Sequence, residues 1–384
     1  ITVDDVVTAA QGSTIAATTN ASTVNFSAAG VSDTFANLAG SGAVSTEMGN
    51  IDAKDADVNV TVSDTIADAS TQDVTDLNAI LAATTGTVTA TIDGNQAQLV
   101  SITANASSNA TNALTITVDD VVTAAQGSTI AATTNASTVN FSAAGVSDTL
   151  ANLTDTDAVS TEMGNIDAKD ADVNVTVSDT IGSASAQNLS DLDALRAATT
   201  GVVTATINGN AAELDDLSTS GNDLLAITVN DSLSGSSGVT ALNTILSATD
   251  GTVIATISGT AAQLASLTAT GSDTGTSTLT ITVDDAATAA QGAAIADATD
   301  ASTVNFSAGG VSDTLANLAG SGSVSTNLGK IDAKDADVNV TVSGTIADAS
   351  AQNVTDLNAI LAATTGTVTA TIDGNQAQLV SITA

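Results

Sequence analysis

Hydrophobic and polar residues alternate in many short segments of the chain. Residues 58–63 read Val-Asn-Val-Thr-Val-Ser, and residues 87–92 and 114–118 alternate in the same way. A period of two with β-branched residues predicts strands that bury one face. About 14 such segments occur, and their starts lie roughly 22 to 34 residues apart. This spacing is too long for hairpins, so it predicts parallel strands joined by crossovers.

Short helical patterns lie between the predicted strands. Ser70 is placed to cap a helix, Asp73 stands at the capping-box position, and Val74, Leu77 and Leu81 share one face. The pattern recurs at Leu189, Leu192 and Leu195 and at Val239, Leu242 and Ile245, with shorter versions at 33–38 and 261–267. Each predicted strand is therefore followed by a helix with one apolar stripe.

The chain also repeats itself at two long offsets. Residues 281–384 align without gaps on residues 1–104, with 16 differences at an offset of 280. Residues 116–181 repeat residues 1–66 at an offset of 115. Self-similarity of this kind predicts a stacked array in which each repeat completes the core of its neighbour.

These repeats divide the chain into three blocks. The blocks are residues 1–115, residues 116–280 with an extra repeat at about 225–280, and residues 281–384. Strands and helices that alternate in such blocks predict a parallel β-solenoid with short helices between the strands, because right-handed strand–helix–strand connections stack in this way. The alternative is a two-sheet β-solenoid with two strands per coil, since the strand types alternate in pairs.

Composition excludes several classes of function. The 384 residues include no His, Cys, Trp, Tyr or Pro, so thiol and imidazole chemistry and aromatic stacking platforms are ruled out. The formal net charge of −37 repels phosphate backbones, which excludes nucleic acid as a partner. No run of 18 apolar residues occurs, so we predict no membrane span.

Three phrases of the sequence carry a resemblance to a known group. VNVTVSDTIADAS, DLNAILAATTGTVTATI and VSDTLANLAG resemble the tandem repeats of very large secreted surface proteins of cyanobacteria and marine bacteria, often found beside hemolysin-type calcium-binding modules. The resemblance covers essentially the whole chain and implies an extracellular, structural or adhesive protein that is exported without a cleaved N-terminal signal. The GGxGxD nonapeptide is absent, so the resemblance implies no calcium-roll site here.

The Asp-Ala-Lys-Asp-Ala-Asp sequence occurs three times and is the leading candidate for a metal site. Three carboxylates within six residues are hard oxygen ligands of the kind that Ca²⁺ prefers, and Ca²⁺ is the one cofactor the sequence suggests. The candidate ligands are Asp52, Asp55, Asp57, Asp167, Asp170, Asp172, Asp332, Asp335 and Asp337. Lys54, Lys169 and Lys334 lie inside the runs, so a solvated turn with a local ion pair is the favoured interpretation.

Other acids stand at the ends of predicted strands. They are Asp4, Asp5, Asp64, Asp119, Asp120, Asp179, Asp284 and Asp285. Stacking would bring such carboxylates close enough to repel unless they are bridged or solvated. Gly344 replaces Asp64 in the third block, which argues against strict ligation. Asp93-Gly94 becomes Asn208-Gly209 and Ser258-Gly259 in the copies, which favours turn chemistry.

Threonine rows form a further candidate surface. Thr87, Thr89 and Thr91 and their copies Thr367, Thr369 and Thr371 form a TxTxT pattern like that of flat ice-binding proteins. Val202 and Ile254 interrupt the pattern in the intervening copies, so ordinary β-propensity on a solvated face is the favoured interpretation.

Nothing in this inventory predicts an enzyme. Nearly every acid is copied 115 or 280 residues away, whereas a catalytic site needs unique residues, and the singular cation Arg196 fits a helix C-terminal charge. We therefore expect a non-enzymatic extracellular repeat of a filament, surface layer or adhesin stalk. The alternatives are a surface module that binds calcium, glycan or ice, and a polysaccharide-active enzyme.

The expected partners follow from the same features. Both ends of the chain are interior points of a repeat. We therefore expect a longer tandem array or end-to-end self-association, with cell-surface polysaccharide as a further partner.

Overall fold

A computed structural model describes most of the chain. The described residues are 1–18, 23–26, 30–103, 112–132, 138–141, 145–182, 185–218, 223–268, 277–298, 303–306, 309–347 and 350–383. The described strands are β1 Thr2–Val3, β2 Asn25–Phe26, β3 Val31–Asp33, β4 Ala39–Gly40, β5 Ala43–Val44, β6 Val60–Ile66, β7 Val88–Gly94, β8 Ala113–Val118, β9 Thr138–Phe141, β10 Val146–Asp148, β11 Thr154–Asp155, β12 Ala158–Val159, β13 Val175–Ile181, β14 Val203–Gly209, β15 Leu224–Ser234, β16 Val253–Gly259, β17 Thr278–Val283, β18 Thr303–Phe306, β19 Val311–Asp313, β20 Ala319–Gly320, β21 Ser323–Val324, β22 Val340–Ile346 and β23 Val368–Ile372.

Helices alternate with these strands along the chain. The described helices are α1 Ala9–Thr18, α2 Phe35–Leu38, α3 Thr46–Asp52, α4 Thr71–Ala83, α5 Gln96–Leu99, α6 Ala124–Ala132, α7 Leu150–Leu153, α8 Thr161–Asp167, α9 Ala186–Ala198, α10 Ala211–Leu214, α11 Gly235–Ser247, α12 Ala261–Leu264, α13 Ala289–Asp297, α14 Leu315–Leu318, α15 Thr326–Asp332, α16 Ala351–Ala363 and α17 Gln376–Leu379.

The strands belong to several separate sheets. Over the described residues there are parallel sheets of seven, five and three strands, together with four two-stranded pairs. The prediction of a parallel β-solenoid, in its single-sheet or its two-sheet form, is therefore wrong. The chain is a mixed α/β protein with several parallel sheets and 17 described helices.

A glycine in the left-handed conformation lies in the connection between strands of two different sheets. Gly30 has a φ of 62° and stands between β2 and β3. A Cβ there would overlap the carbonyl oxygen of Asn59, which accepts the backbone N–H of Val31 at 2.8 Å. Gly145 and Gly310 repeat the arrangement with φ values of 59° and 54°. β3 belongs to the five-stranded sheet, whereas β2 pairs with β1.

Three short hairpins lie where the sequence spacing predicts only crossovers. They are β4–β5, β11–β12 and β20–β21, each with two-residue antiparallel strands. In the first hairpin both turn residues, Ser41 and Gly42, have positive φ values of 58° and 83°, as a tight type I′ turn requires. Two-residue strands are too short to show an alternation, so the pattern could not reveal them.

Residues Ile1–Asp179 and Ala194–Val203 form the first compact unit. Its five-stranded sheet has the order β3-β6-β7-β8-β9, with all neighbours parallel. Val60 lies beside Val88 and Ile92 beside Ile116 in register. All four side chains are at most 1% exposed, so this face of the sheet is part of the core.

Residues Thr180–Asp193 and Thr204–Ala384 form the second compact unit. Strands β15, β16, β17 and β18 lie side by side in chain order and are parallel. Ile257 lies beside Ile281 in register, and both are fully buried. A separate sheet has the order β19-β22-β23, and in it β23 is an edge strand.

The capping signal of α4 is confirmed, whereas Ser234 at the N-cap of α11 makes no side-chain cap hydrogen bond. At α4 the Ser70 hydroxyl accepts the Asp73 N–H at 3.2 Å, and the Asp73 carboxylate accepts the Ser70 N–H at 2.9 Å. This reciprocal box satisfies two N–H groups that a helix N-terminus leaves without intrahelical partners. Arg196 lies in the last turn of α9, as predicted.

The link between the first and third helices of a block is kept by different chemistry in different blocks. Asn50 on α3 donates to the Ser13 hydroxyl on α1 at 3.0 Å. In the third block Ala293 replaces the serine and Lys330 the asparagine. Lys330 instead forms an ion pair with Asp297 at 2.5 Å, with both side chains about half exposed. Exposed pairs contribute little stability, so the exchange is close to neutral.

Candidate functional site

Each Asp-Ala-Lys-Asp-Ala-Asp run begins where a seven-residue helix ends. Asp52 is the last residue of α3, and Asp167 and Asp332 are the last residues of α8 and α15. The chain then turns toward the next strand, which is β6 in the first block. Each run therefore lies at a junction between a helix and a strand.

The middle acid of each run bonds to the backbone of an earlier strand. Its Oδ2 atom accepts the N–H of a phenylalanine that lies 29 residues before it. The pairs are Asp55 with Phe26 at 2.7 Å, Asp170 with Phe141 at 2.7 Å and Asp335 with Phe306 at 2.8 Å. These carboxylates hold two parts of the fold together, and each has one oxygen engaged by protein.

The second and third acids of each run are in contact, so the middle carboxylate has hydrogen bonds with the third acid as well as with the phenylalanine N–H. Burial is the main cause that raises the pKa of Asp55 above its ordinary value, and the side-chain hydrogen bond and negative charge of Asp57 act in the same direction. Burial likewise raises the pKa of Asp170 and of Asp335, with Asp172 and Asp337 as the neighbouring acids. Two carboxylates this close repel when both are ionised, which favours a shared proton or a bound cation.

The first acid of each run stands apart from that pair. Burial raises the pKa of Asp52 and of Asp167. The Oδ1 atoms of Asp167 and Asp332 are buried without a hydrogen-bond partner. Within the described part of the chain, no three acids are arranged as a group that could hold a metal ion. Calcium ligation by the nine predicted acids stays a prediction.

Asp64, Asp120, Asp179 and Asp285 from the predicted strand-end set, together with Asp231, cap helices of a preceding strand–helix segment. Asp64 and Asp179 lie inside β6 and β13 and not at strand ends, and Asp231 lies inside β15. The carboxylates of these five acids accept the first N–H of a short helix that lies 20 to 29 residues earlier in the chain. The pairs are Asp64 with Phe35 at 2.7 Å, Asp120 with Gln96 at 2.7 Å, Asp179 with Leu150 at 2.9 Å, Asp231 with Ala211 at 2.8 Å and Asp285 with Ala261 at 2.6 Å. A carboxylate is favoured there because it pairs a free N–H and complements the helix dipole.

A second set of caps was not predicted from the sequence. Asp33, Asp148 and Asp313 are each the last residue of a three-residue strand, and each accepts the first N–H of a helix that begins 24 residues earlier. Burial alone would raise the pKa of Asp33, but hydrogen bonds from Asn37, Thr34 and Ala9 outweigh it and lower that pKa. The constant interval of 24 residues is the signal that could have revealed these acids.

Acids also crowd together at the ends of β7 and β8. Burial raises the pKa of Asp119, and the charges of Asp93, Asp68 and Asp120 raise it further. Asp93 accepts the backbone N–H of Asp68 at 3.0 Å. Asp68 itself has a positive φ of 48°, so the crowding accompanies a strained turn.

The predicted threonine pattern continues across strands as two exposed rows. In the first compact unit Thr65, Thr91, Thr115 and Thr138 are neighbours in register on β6 to β9. In the second, Ser232, Thr256, Thr280 and Thr303 form the equivalent row on β15 to β18. The rows lie on the face opposite the buried aliphatic residues, as period-two strands require.

The acids of this protein therefore act mainly as acceptors for backbone N–H groups. Most of these bonds join residues 20 to 34 positions apart, so each carboxylate links one strand–helix segment to an adjacent one. Hydrogen bonds to charged groups contribute more than neutral ones, about 1.5–3 kcal/mol each. The arrangement is suited to holding repeated segments in register.

Replacing Asp55 tests this role. We expect Asp55→Ala to lower the free energy of unfolding by about 1.5–3 kcal/mol, because the Phe26 N–H loses its partner in a buried place. Asp55→Asn keeps an acceptor oxygen and removes the charge, so it should lose much less at pH 7. Urea unfolding of both variants measures the difference.

The stability of wild type and of Asp55→Asn should differ in its dependence on pH. The raised pKa of Asp55 means that the folded chain holds this proton more tightly than the unfolded chain. Wild type should therefore lose stability relative to Asp55→Asn as the pH rises from about 4. Asp4→Ala, at an exposed acid outside the run, is the control for loss of a carboxylate alone. Equal losses in the Asp55→Ala and Asp4→Ala variants would contradict the capping role.

Comparisons with known proteins identify no family for this chain, so any argument about its function rests on its own contacts. A scan against protein-family models found no family that matches. A search of curated proteins found no match either. Among the residues that the structure describes, no helix is both long and apolar enough to cross a bilayer.

Proposed function

We propose that this chain is a non-enzymatic structural repeat of an extracellular filament, surface layer or adhesin stalk. One observation carries the proposal: acids recur at fixed intervals and bond to the backbone of an adjacent strand–helix segment. A protein whose charged groups are engaged in this way gains cohesion between segments at each repeat. A stalk, filament or surface layer needs cohesion of this kind between its repeated segments.

The charge of the chain fits the same role. A net charge of −37 keeps neighbouring molecules apart at low ionic strength and keeps the surface hydrated. The exposed threonine rows add hydroxyl groups, and under this proposal they are the surface offered to cell-surface polysaccharide. The resemblance of the repeat phrases to secreted surface proteins points to the same compartment.

Localisation of the native protein tests the proposal. An antibody raised against the chain, used for immunogold labelling of intact cells that produce it, should label fibres or a layer outside the cell. Cells lacking the gene serve as the control for non-specific labelling. Label that appears only after the cells are permeabilised, and then in the cytoplasm, would overturn the proposal.

A calcium-binding surface module is the second candidate. The touching carboxylates of Asp55 and Asp57 and of their copies mark places where a cation would relieve repulsion, even though no three acids of the described residues form a ligand group. Extracellular calcium sites have dissociation constants of about 10⁻⁴ to 10⁻³ M. At about 10 mM calcium one such site would add about 1.4–2.7 kcal/mol to the free energy of unfolding.

Thermal melting separates specific calcium binding from screening. The chain is melted in calcium, in chelator and in magnesium, with sodium chloride used to hold the ionic strength constant. A dedicated site should raise the melting temperature by several degrees in calcium and by less in magnesium. Identical curves in calcium and chelator would remove calcium from the account of this protein.

A further inference from the structure

Three edge strands of this protein end with a phenylalanine. β2 is the last strand of the pair β1–β2, β9 is the last strand of the five-stranded sheet, and β18 is the last strand of the seven-stranded sheet. Among the described strands, each of the three pairs with one neighbour only. Their final residues are Phe26, Phe141 and Phe306. An edge of this kind offers free backbone groups to any strand that approaches it.

The backbone N–H of the phenylalanine points away from the paired strand. In β2 the N–H of Asn25 donates to the Ile1 carbonyl on β1 at 2.7 Å. Successive N–H groups of a strand point to opposite sides, so the N–H of Phe26 faces the open edge. The sequence Thr-Val-Asn-Phe that contains β2 recurs unchanged in β9 and β18, so the three edges are equivalent.

The middle acid of the Asp-Ala-Lys-Asp-Ala-Asp run occupies this outward N–H in all three blocks. Asp55, Asp170 and Asp335 each accept it at 2.7 to 2.8 Å. The contact is buried, because Asp55 is 9% exposed and Phe26 4% exposed. An ionised carboxylate accepts hydrogen bonds but donates none. It therefore ends the hydrogen-bond ladder that a further strand would continue.

The run is also fixed from its other side. The carbonyl of Ala56 accepts the backbone N–H of Thr85 at 2.8 Å and the Thr85 hydroxyl at 3.1 Å. The same two bonds join Ala171 to Thr200 and Ala336 to Thr365. The run thus directs a carboxylate to the edge strand while its backbone is held by the chain that follows a long helix.

We propose that the Asp-Ala-Lys-Asp-Ala-Asp run blocks strand addition, closing the edges of β2, β9 and β18 against a second copy of the chain. The middle carboxylate occupies the N–H that an incoming strand has to bind. Its charge also repels the acidic chain that carries such a strand, and charged groups at sheet edges are a general protection against edge-to-edge association. This function goes beyond the proposed structural role, because it concerns contacts that the repeats avoid.

A second copy is the partner that the run excludes, because every copy carries the same three edges. Two edges of identical sequence pair about a two-fold axis when nothing occupies their N–H groups. In the wild-type chain such a contact must first break the bond between the phenylalanine N–H and the carboxylate. A hydrogen bond to a charged group of this strength lowers the association constant roughly 10- to 150-fold for each edge.

Asp170→Ala opens one edge, and Asp179→Ala is its matched control. Each variant removes one negative charge and one acceptor of a backbone N–H in the same block, but Asp179 caps a helix at Leu150. Only Asp170→Ala should therefore expose a strand edge. Asp170→Asn removes the same charge and keeps an acceptor oxygen, so it should behave like wild type.

The same comparison is made in the second compact unit. Asp335→Ala opens the edge of β18, and Asp285→Ala, which uncaps α12 at Ala261, is its control. This second pair keeps the test decisive if Asp170→Ala does not fold. Circular dichroism confirms the fold of each variant, and each is studied at the urea concentration that unfolds the same small fraction of molecules. Differences in stability then do not enter the comparison.

Sedimentation velocity at about 0.15 M salt measures self-association, and thioflavin T fluorescence reports whether strands join edge to edge. Asp170→Ala and Asp335→Ala should each raise the association constant roughly 10- to 150-fold over wild type and increase the fluorescence. Asp179→Ala, Asp285→Ala and Asp170→Asn should stay at the wild-type level.

Two results would overturn the proposal. One is equal association of the edge variants and their helix-cap controls, which would show that the carboxylate at the edge excludes nothing. The other is an Asp170→Asn variant that associates as strongly as Asp170→Ala, because the lost charge and not the freed N–H would then be the cause.

Discussion

Replacing Gly30 by Ala is expected to lower the free energy of unfolding by about 2–5 kcal/mol. The left-handed backbone costs a residue with a Cβ about 1–2 kcal/mol, and overpacking adds about 1–3 kcal/mol. The new Cβ would overlap the Asn59 carbonyl oxygen, which also accepts the N–H of Val31. The substitution therefore strains the backbone and weakens a hydrogen bond at the same place.

Gly49→Ala is the matched control in the same block. Gly49 lies in the interior of α3, and a Cβ there would meet only a Val44 methyl group at 4.0 Å. Alanine is favoured over glycine in helices by about 1 kcal/mol, so this variant should be more stable than wild type. Urea unfolding measures the free energy of unfolding of both variants. A Gly30→Ala variant as stable as Gly49→Ala would show that the left-handed turn is not fixed.

The second large effect is expected at Ile92, compared with its copy Ile372. Ile92 is fully buried between neighbouring strands, so Ile92→Ala should cost about 2–5 kcal/mol. Ile372 has the same local sequence, but its edge strand leaves it partly exposed. Ile372→Ala should cost about 1 kcal/mol or less, because less area is removed from water.

Urea unfolding of the two variants compares the same substitution in the same local sequence with and without a covering strand. Equal losses at the two positions would mean that Ile372 is as well covered as Ile92.

Local signals in the sequence predicted the helices and most long strands well. The Ser70–Asp73 box and the apolar face of α4 depend on residues within one or two turns of each other, so they can be recognised without the fold. Strands such as β6 and β7 alternate over enough residues to show a period of two. Predictions of this kind succeed where the determining contacts are local.

The sheet arrangement could not be predicted in the same way. The left-handed turn at Gly30 depends on a carbonyl group 29 residues later, and the sequence around a glycine does not reveal its φ. The hairpin at Ser41-Gly42 uses strands of two residues, which carry no period. The solenoid prediction took the repeats as evidence for one continuous sheet, and these local breaks divide it.

The role of the acids was only partly visible. A cluster such as Asp52, Asp55 and Asp57 reads as a set of oxygen ligands, because calcium loops also concentrate acids in a few residues. The Phe26 N–H that Asp55 binds lies in another strand. Asp33 gave no local signal at all, since its partner is 24 residues earlier. The carboxylates indicated that hydrogen-bond donors must lie nearby, but only the fold shows which backbone N–H groups they are.

The direction of the aspartate caps has a consequence for biosynthesis. Asp33, Asp55 and Asp64 each reach back to a donor that was made 24 to 29 residues earlier. At synthesis rates of about 5–20 residues per second, a new donor waits roughly 1 to 6 s for its acceptor. In a chain that folds as it leaves the ribosome, the newest segment is therefore always incompletely capped. A pause in translation would leave only that last segment exposed, while the segments behind it are already closed.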